Sequence, residues 1–216
     1  KSLTIGWIYL LVAFASCNNA PNKNVTAENA STVTKGMYGY DADFLKKHTG
    51  KVLELSNEDS TAKVLLSADY QGRVMTSTAT GDTGVSFGWL NYELIAAKEK
   101  KKQFNLVGGE ERFWMGPEGG QYSLYFKAGN SFNIAHWQVP SFIDTDSYEV
   151  AQSDKSSATF TKKTSIVNFS GTTFDIAIER KITLLSKAQL ANTLQIALPE
   201  GVHFVGFQTD NKVTNA

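Results

Sequence analysis

Hydrophobic and polar side chains alternate along several short segments of the chain. In segment 172–185, for example, Phe174, Ile176 and Ile178 are separated by polar or small residues. A period of two places the apolar residues on one face of an extended chain, which is the pattern of a strand with one buried face. Strands are predicted on this basis for segments 51–55, 62–68, 73–80, 121–127, 147–152, 157–164, 164–169, 172–185 and 202–209.

Few helices are predicted between these strands. Short helices or helical turns are expected in segments 41–47, 91–100 and 187–192. Connections rich in Gly, Asn, Asp and Ser join the strands, and segment 69–72 has the composition of a hairpin connection. Short strands joined in this way indicate antiparallel sheets packed face to face. The predicted fold class is therefore all-β, a mainly antiparallel β-sandwich with a few short helices.

The first 17 residues have the features of a bacterial lipoprotein signal peptide. An apolar run of about a dozen residues follows Lys1, which is shorter than the roughly 20 residues of a membrane-spanning helix. The run ends in Phe-Ala-Ser-Cys, which makes Cys17 the predicted lipidation site. Cys17 is the one cysteine, so no disulfide can form within the chain. We expect an exported protein anchored by lipid to the cell envelope, at the periplasmic or surface face of the outer membrane. An ordinary secretory signal with an incidental cysteine is the alternative.

Three parts are predicted along the chain: the signal peptide 1–17, a disordered tether 18–35 and a β-sandwich domain 36–216. The tether is rich in Asn, Thr, Ser, Ala and Lys, and it has too few large apolar residues to offset the entropy of ordering. The chain begins without Met and stops soon after a predicted strand. Residues 36–216 are therefore interpreted as the amino-terminal part of a longer domain.

The overall charge gives no signature of a polyanion-binding protein. The chain has 21 acidic and 21 basic residues, and nucleic acid is not expected as a partner. The basic run at 98–102 carries a Glu inside it and follows an apolar segment, so we expect a solvated helix end or loop there.

The most informative motif is segment 108–120, Gly-Gly-Glu-Glu-Arg-Phe-Trp-Met-Gly-Pro-Glu-Gly-Gly. Paired glycines allow positive φ angles and close approach of a ligand, so the side chains between them can converge on one point. An indole stacks on the C–H face of a sugar ring, while carboxylates and a guanidinium bond its hydroxyls. The segment therefore predicts a carbohydrate-binding site.

The candidate ligand-binding residues of this motif each have a structural alternative. Glu110 and Glu111 can accept hydroxyl hydrogen bonds, but as neighbours on an extended chain they point opposite ways, so one at most is expected at the site. Arg112 binds a ligand or forms an Arg–Glu pair that locks the loop. Trp114 is a stacking platform or a core aromatic, and Glu118 projects a carboxylate from between Pro and Gly.

The second group of candidates is His136 and Trp137. Histidine is a common general acid or base, so His136 is the catalytic candidate, and Trp137 is a further ligand-binding candidate. A structural role for His136 is the alternative. His48 and His203 have no ligands at metal-binding spacing, and Asp144 is predicted to lie in a solvated turn, so no metal and no cofactor are expected.

The sequence also resembles a protein family. The residues that carry the resemblance are Tyr-Gln-Gly-Arg-Val-Met at 70–75, the motif 108–120, His-Trp-Gln-Val-Pro at 136–140 and Phe-Ile-Asp at 142–144. They resemble an uncharacterised family of Bacteroidetes lipoproteins with a galactose-mutarotase-like β-sandwich, or supersandwich. The resemblance covers roughly residues 36–209 and implies a concave face of sugar size.

The resemblance leaves three functions open. The first is carbohydrate binding by a lipid-anchored protein. The second is an aldose 1-epimerase or related sugar-processing activity, because epimerases of that fold pair a histidine acid with a carboxylate base that comes late in the chain. His136 would then be the acid, and the base would lie beyond Ala216. The third is a scaffold lipoprotein whose motif only braces the sandwich.

Overall fold

The computed structural model describes residues Thr32–Ala216. Cys17, the predicted signal peptide and residues 18–31 of the predicted tether lie outside the described residues. Within the described range the α-helices are α1 (Tyr38–His48), α2 (Tyr92–Ala97) and α3 (Lys187–Leu194). The strands are β1 (Val52–Ser56), β2 (Lys63–Ser67), β3 (Arg73–Thr78), β4 (Glu149–Ser153), β5 (Ser157–Val167), β6 (Thr173–Leu184) and β7 (Phe207–Asn215).

The strands form two antiparallel sheets. The first has the order β1-β2-β3 and the second the order β4-β5-β6-β7. The hairpin predicted at 69–72 joins β2 to β3 through a short 3-10 turn and two residues, Gln71 and Gly72, with positive φ. The all-β, mainly antiparallel fold class with a few short helices is confirmed.

The main hydrophobic core lies between the two sheets. Leu66 and Val74 from the first sheet share one buried cluster with Phe160 and Ile178 from the second. Gly72 is required at this contact, because a Cβ atom there would lie 2.5 Å from the Phe160 ring. Alternation along β6 follows the prediction from Ile176 onward, where Ile176, Ile178, Ile182 and Leu184 are buried, but Phe174 is 39% exposed.

The other face of the first sheet is covered by helices. Leu65 of β2 and Met75 of β3 pack with Tyr38 and Leu45 of α1 and with Ile95 of α2. The first sheet is therefore buried on both faces, in a stack of helices, sheet and sheet. No helix in the range 32–216 is long and apolar enough to cross a membrane.

Four predicted strands differ in the structure. Segments 157–164 and 164–169 form one strand, β5, and the last strand begins at Phe207 rather than at 202. The strand predicted at 121–127 is wrong, because the chain there forms turns and bends. The amide of Ser123 donates to the Gly120 carbonyl and the amide of Leu124 to the Pro117 carbonyl, so local turns satisfy the backbone that a strand would have paired.

Candidate functional site

The first glycine pair of the motif lies beside β3. The amide of Glu110 donates to the Val74 carbonyl at 2.8 Å, and the amide of Val74 donates to the Glu111 carbonyl at 3.0 Å. Gly109 has a φ of +104°, and a Cβ atom there would lie 2.7 Å from Cδ of Arg73. The glycine pair therefore lets the chain pass close to β3, which is a structural use of backbone freedom.

The two adjacent glutamates contact different parts of the fold. Glu110 accepts a hydrogen bond from the Ser77 hydroxyl of β3 at 2.9 Å. Burial raises the pKa of the Glu110 carboxyl, and the bond from Ser77 opposes that shift. Glu111 instead forms an ion pair with Arg180 of β6. Both carboxylates are thus occupied by side chains of the protein.

Arg180 is a buried structural residue that sequence reasoning missed. Its side chain is fully buried, and besides the ion pair it donates to the Gly72 carbonyl at 3.2 Å and to Asn211 Oδ1 at 2.9 Å. The signal was present, because Arg180 continues the inward-facing alternation of Ile176 and Ile178 along β6. A charged residue at an inward strand position predicts a buried partner.

Arg112 lies against aromatic rings. Its guanidinium carbon is 4.3 Å from the centroid of the Trp114 ring and 5.4 Å from that of Phe104, and its Nη2 donates to the Ile143 carbonyl. Among residues 32–216 no carboxylate lies within 4.0 Å of this guanidinium. The Arg–Glu lock considered for Arg112 is formed by Arg180 instead.

Asp144 corrects a prediction. It was expected in a solvated turn, but only 3% of the residue is exposed. Its carboxylate accepts hydrogen bonds from the backbone and side-chain amides of Asn105, the latter at 2.7 Å. Burial raises the pKa of the Asp144 carboxyl, while these bonds and the charge of Arg112 act in the opposite direction. Asp144 is therefore a buried structural residue near Arg112 of the motif.

The second half of the motif forms an aromatic cluster. The Trp114 indole N–H donates to Glu118 Oε1 at 2.8 Å, and the Trp114 ring packs against Tyr125 with centroids 5.5 Å apart. Tyr125 stacks on Trp137 at 5.7 Å with an interplanar angle of 14°, and its hydroxyl donates to the Met115 carbonyl at 2.7 Å. Tyr125 was not a candidate from sequence, yet it connects the two predicted tryptophans.

Two hollows adjoin this cluster, and Trp137 lines both. The larger has a volume of about 730 Å³ and is lined by Tyr125, His136 and Gln138 among others. The smaller has a volume of about 380 Å³ and is lined by Glu118 together with Phe132 and Ile134. We call them the larger hollow and the smaller hollow. Trp137 is therefore placed where a bound ring could contact it from either hollow.

His136 lies at the rim of the larger hollow. The residue is exposed, and its Nδ1 lies 3.0 Å from the Ser131 hydroxyl and 3.2 Å from the Ser131 carbonyl oxygen. The loop is closed by the His136 amide, which donates to the Asn133 carbonyl at 3.1 Å. Nδ1 is thus engaged within the loop, which leaves Nε2 as the nitrogen available to a ligand.

The structure brings some candidates together and separates others. Arg112, Trp114, Glu118 and Trp137 belong to one cluster built around Tyr125, with His136 beside it. Glu110 and Glu111 contact Ser77 and Arg180 instead. Within the described part of the chain, no group of three or more His, Cys, Asp or Glu residues is arranged to hold a metal ion.

Comparison with known proteins places the chain in a family. No curated protein and no solved structure matches it. A family model for a family of unknown function (DUF6786) matches residues 36–216, which is most of the chain and includes the motif, the aromatic cluster and both hollows. The chain therefore belongs to this family of unknown function, DUF6786.

Proposed function

We propose that this protein is an exported, lipid-anchored protein that binds carbohydrate at Trp137, in a β-sandwich of the galactose-mutarotase type. The observation that carries the proposal is the position of Trp137, which lines two adjoining hollows. The larger hollow, at about 730 Å³, has the volume of small-molecule binding sites.

The residue types around Trp137 support a saccharide ligand. An indole offers an apolar face to the C–H groups of a sugar ring. Amide side chains of Gln103, Gln138 and Asn130 also line the larger hollow. The NH2 groups of Gln103 and Gln138 already donate to backbone carbonyls, which orients their side-chain oxygens as acceptors and leaves one N–H on each for a ligand hydroxyl. A sugar ring, which has an apolar C–H face and hydroxyl groups at its rim, matches this combination of an indole and side-chain amides.

Trp114 and Arg112 would position the site rather than contact the sugar. The Trp114 indole N–H fixes the Glu118 carboxylate at the edge of the smaller hollow, and Arg112 covers the Trp114 ring. In this arrangement Glu118 accepts a hydrogen bond from a ligand hydroxyl, while Trp137 supplies the stacking surface. In this proposal, the residues of the motif that form the binding site lie in its second half.

Two variants test the binding site. Calorimetric titration of the full chain with a glycan panel should show binding that weakens at least about tenfold in Trp137→Ala and measurably in Glu118→Gln. Trp89→Ala is the control, because Trp89 is an exposed tryptophan that lines neither hollow. Absence of glycan binding, or equal binding in all three variants, would refute the proposal and favour the scaffold alternative.

Lipid attachment is tested separately. The parent should incorporate a labelled fatty acid and fractionate with the outer membrane, whereas Cys17→Ser should do neither. Fatty-acid labelling that persists in Cys17→Ser would contradict the assignment of Cys17. Binding of glycans does not depend on this result, so the two halves of the proposal can fail independently.

An epimerase activity is the second candidate, and His136 at the rim of the larger hollow favours it. His136 would protonate the ring oxygen of an aldose, and a carboxylate base would have to come from outside the lining of this hollow, which contains no Asp or Glu among the described residues. Polarimetry on freshly dissolved galactose or glucose decides between carbohydrate binding alone and epimerase activity. A faster mutarotation that is lost in His136→Ala supports turnover, and the spontaneous rate supports binding alone.

A further inference from the structure

We propose that the ligand of the larger hollow is an acidic saccharide, one that carries carboxylate or sulfate groups. This inference rests on the proposed carbohydrate binding and names the class of sugar. The charged side chains that line the larger hollow are Lys102 and Lys127, with His136 beside them, and the lining contains no carboxylate from the described residues. The hollow therefore selects for negative charge although the whole chain is neutral.

The two lysines are free to meet a ligand. Both are exposed, and within residues 32–216 neither forms an ion pair at 4.0 Å or less. The hollow on the second sheet is different, because Glu149 and Glu179 line it together with its lysines. A lining that contains lysines but no carboxylate thus distinguishes the larger hollow from the hollow on the second sheet.

The basic residues come from three segments that backbone contacts hold together. Gln138 donates through its side-chain amide to the Lys102 carbonyl at 2.8 Å and through its backbone amide to the Tyr125 carbonyl at 2.9 Å. The amide of Val139 donates to the Gln103 carbonyl at 2.8 Å. The chain near Lys102, near Tyr125 and near His136 is therefore fixed before a ligand arrives, which lowers the entropic cost of binding.

The distribution of charge on the two sides of Trp137 suggests an orientation for the ligand. Glu118 lines the smaller hollow, and Lys102 and Lys127 line the larger one. An acidic sugar unit is attracted to the larger hollow and repelled from the smaller, where a neutral unit can donate a hydroxyl to Glu118. The arrangement fits an oligosaccharide in which acidic and neutral positions meet at the indole.

The test compares acidic oligosaccharides with their neutral counterparts. The full chain is titrated with oligogalacturonate, with alginate and chondroitin sulfate oligosaccharides, and with their neutral forms, which are the carboxyl-reduced uronates and chondroitin that is both carboxyl-reduced and desulfated. We expect at least one acidic form to bind about tenfold more tightly than its neutral form, with affinity that falls as salt is added. The double variant Lys102→Gln/Lys127→Gln should lose this preference.

Lys163→Gln is the matched control, because Lys163 is an exposed lysine that lines the hollow on the second sheet. Equal affinity for acidic and neutral forms, or a preference that survives in the double lysine variant, would overturn this inference and leave carbohydrate binding intact. Failure of every glycan to bind would overturn the proposed function as well. Tighter binding of a single-stranded oligonucleotide than of any acidic glycan would assign the basic hollow to nucleic acid instead.

Discussion

The Arg180 guanidinium, fully buried in β6, forms an ion pair with the carboxylate of Glu111, which lies 69 residues earlier in the chain. The contact ties the glycine-flanked motif to the second sheet, while backbone bonds tie the same motif to β3 of the first sheet. One glutamate of the motif is thereby part of the packing of the sandwich, which is why the binding site we propose uses residues that follow it.

Removal of Glu111 should destabilise the fold. Glu111→Ala leaves the buried guanidinium of Arg180 without its carboxylate, and we expect a loss of about 3 kcal/mol in the free energy of unfolding. Urea unfolding followed by fluorescence measures the loss. Glu118→Ala is the control, because Glu118 is exposed and should change the stability by less than about 0.5 kcal/mol. Equal effects of the two substitutions would contradict the structural role of Glu111.

Gly109 should not tolerate a side chain. Gly109→Ala introduces a Cβ atom 2.7 Å from Arg73 Cδ and 2.9 Å from the Val74 carbonyl, at a φ of +104°. We expect a loss of more than about 2 kcal/mol. Gly119→Ala is the matched control in the second glycine pair, where no atom lies within 4 Å of the added Cβ. A thermal melt that is unchanged in Gly109→Ala would show that the motif does not pass close to β3.

The pKa of Asp144 should depend on Arg112. Burial raises the pKa of this carboxyl, and the nearby charge of Arg112 lowers it, so Arg112→Gln should raise the Asp144 pKa further in a carboxyl NMR titration. Arg112→Lys keeps the positive charge and should leave more of the downward shift in place. A lower Asp144 pKa in Arg112→Gln would contradict this influence of the Arg112 charge.

The same shift has a defined effect on stability. A carboxyl whose pKa is raised in the folded state binds its proton more tightly there than in the unfolded chain. Its contribution to the free energy of unfolding is therefore fully present below a pH of about 3.9, the ordinary pKa of Asp. This stabilisation is lost as the pH rises from the ordinary pKa through the raised pKa of the folded state. Arg112→Gln widens this interval, so we expect the variant to lose more stability than the parent between acidic and neutral pH.

Tyr125 should stabilise the motif through its hydroxyl. Tyr125→Phe keeps the stack on Trp137 but removes the hydrogen bond to the Met115 carbonyl, and we expect a loss of about 1 kcal/mol. Chemical denaturation measures this loss. Tyr122→Phe is the control, because Tyr122 is 60% exposed and should behave like the parent. If both variants match the parent, the hydroxyl contributes nothing.

Strand positions were predicted well in both sheets, since segments 62–68 and 73–80 match β2 and β3 within two residues although both faces of their sheet are buried. β6 has a regular alternation because its inward residues meet the core and its outward residues meet water. Segment 121–127 also alternates, but Tyr122 is exposed and local turns take up the backbone hydrogen bonds. Periodicity reports which side chains alternate, and it cannot report that a nearby glycine pair has already turned the chain.

The site was predictable as a region but not as a set of contacts. The indole and carboxylate of Trp114 and Glu118 are close in sequence, and they meet in the fold. The Arg–Glu pair considered for Arg112 is formed by Arg180, which sequence reasoning missed because this partner of Glu111 comes from a strand far along the chain. Such pairing depends on sheet topology, which no local spacing encodes.

In the binding mode that we propose, the position of Trp137 between the two hollows lets one aromatic residue serve two neighbouring subsites. Under that proposal, substitutions on the lysine side and on the Glu118 side change ligand preference separately, while the shared indole is preserved. Specificity then diverges at one hollow at a time, without any change in the sandwich beneath.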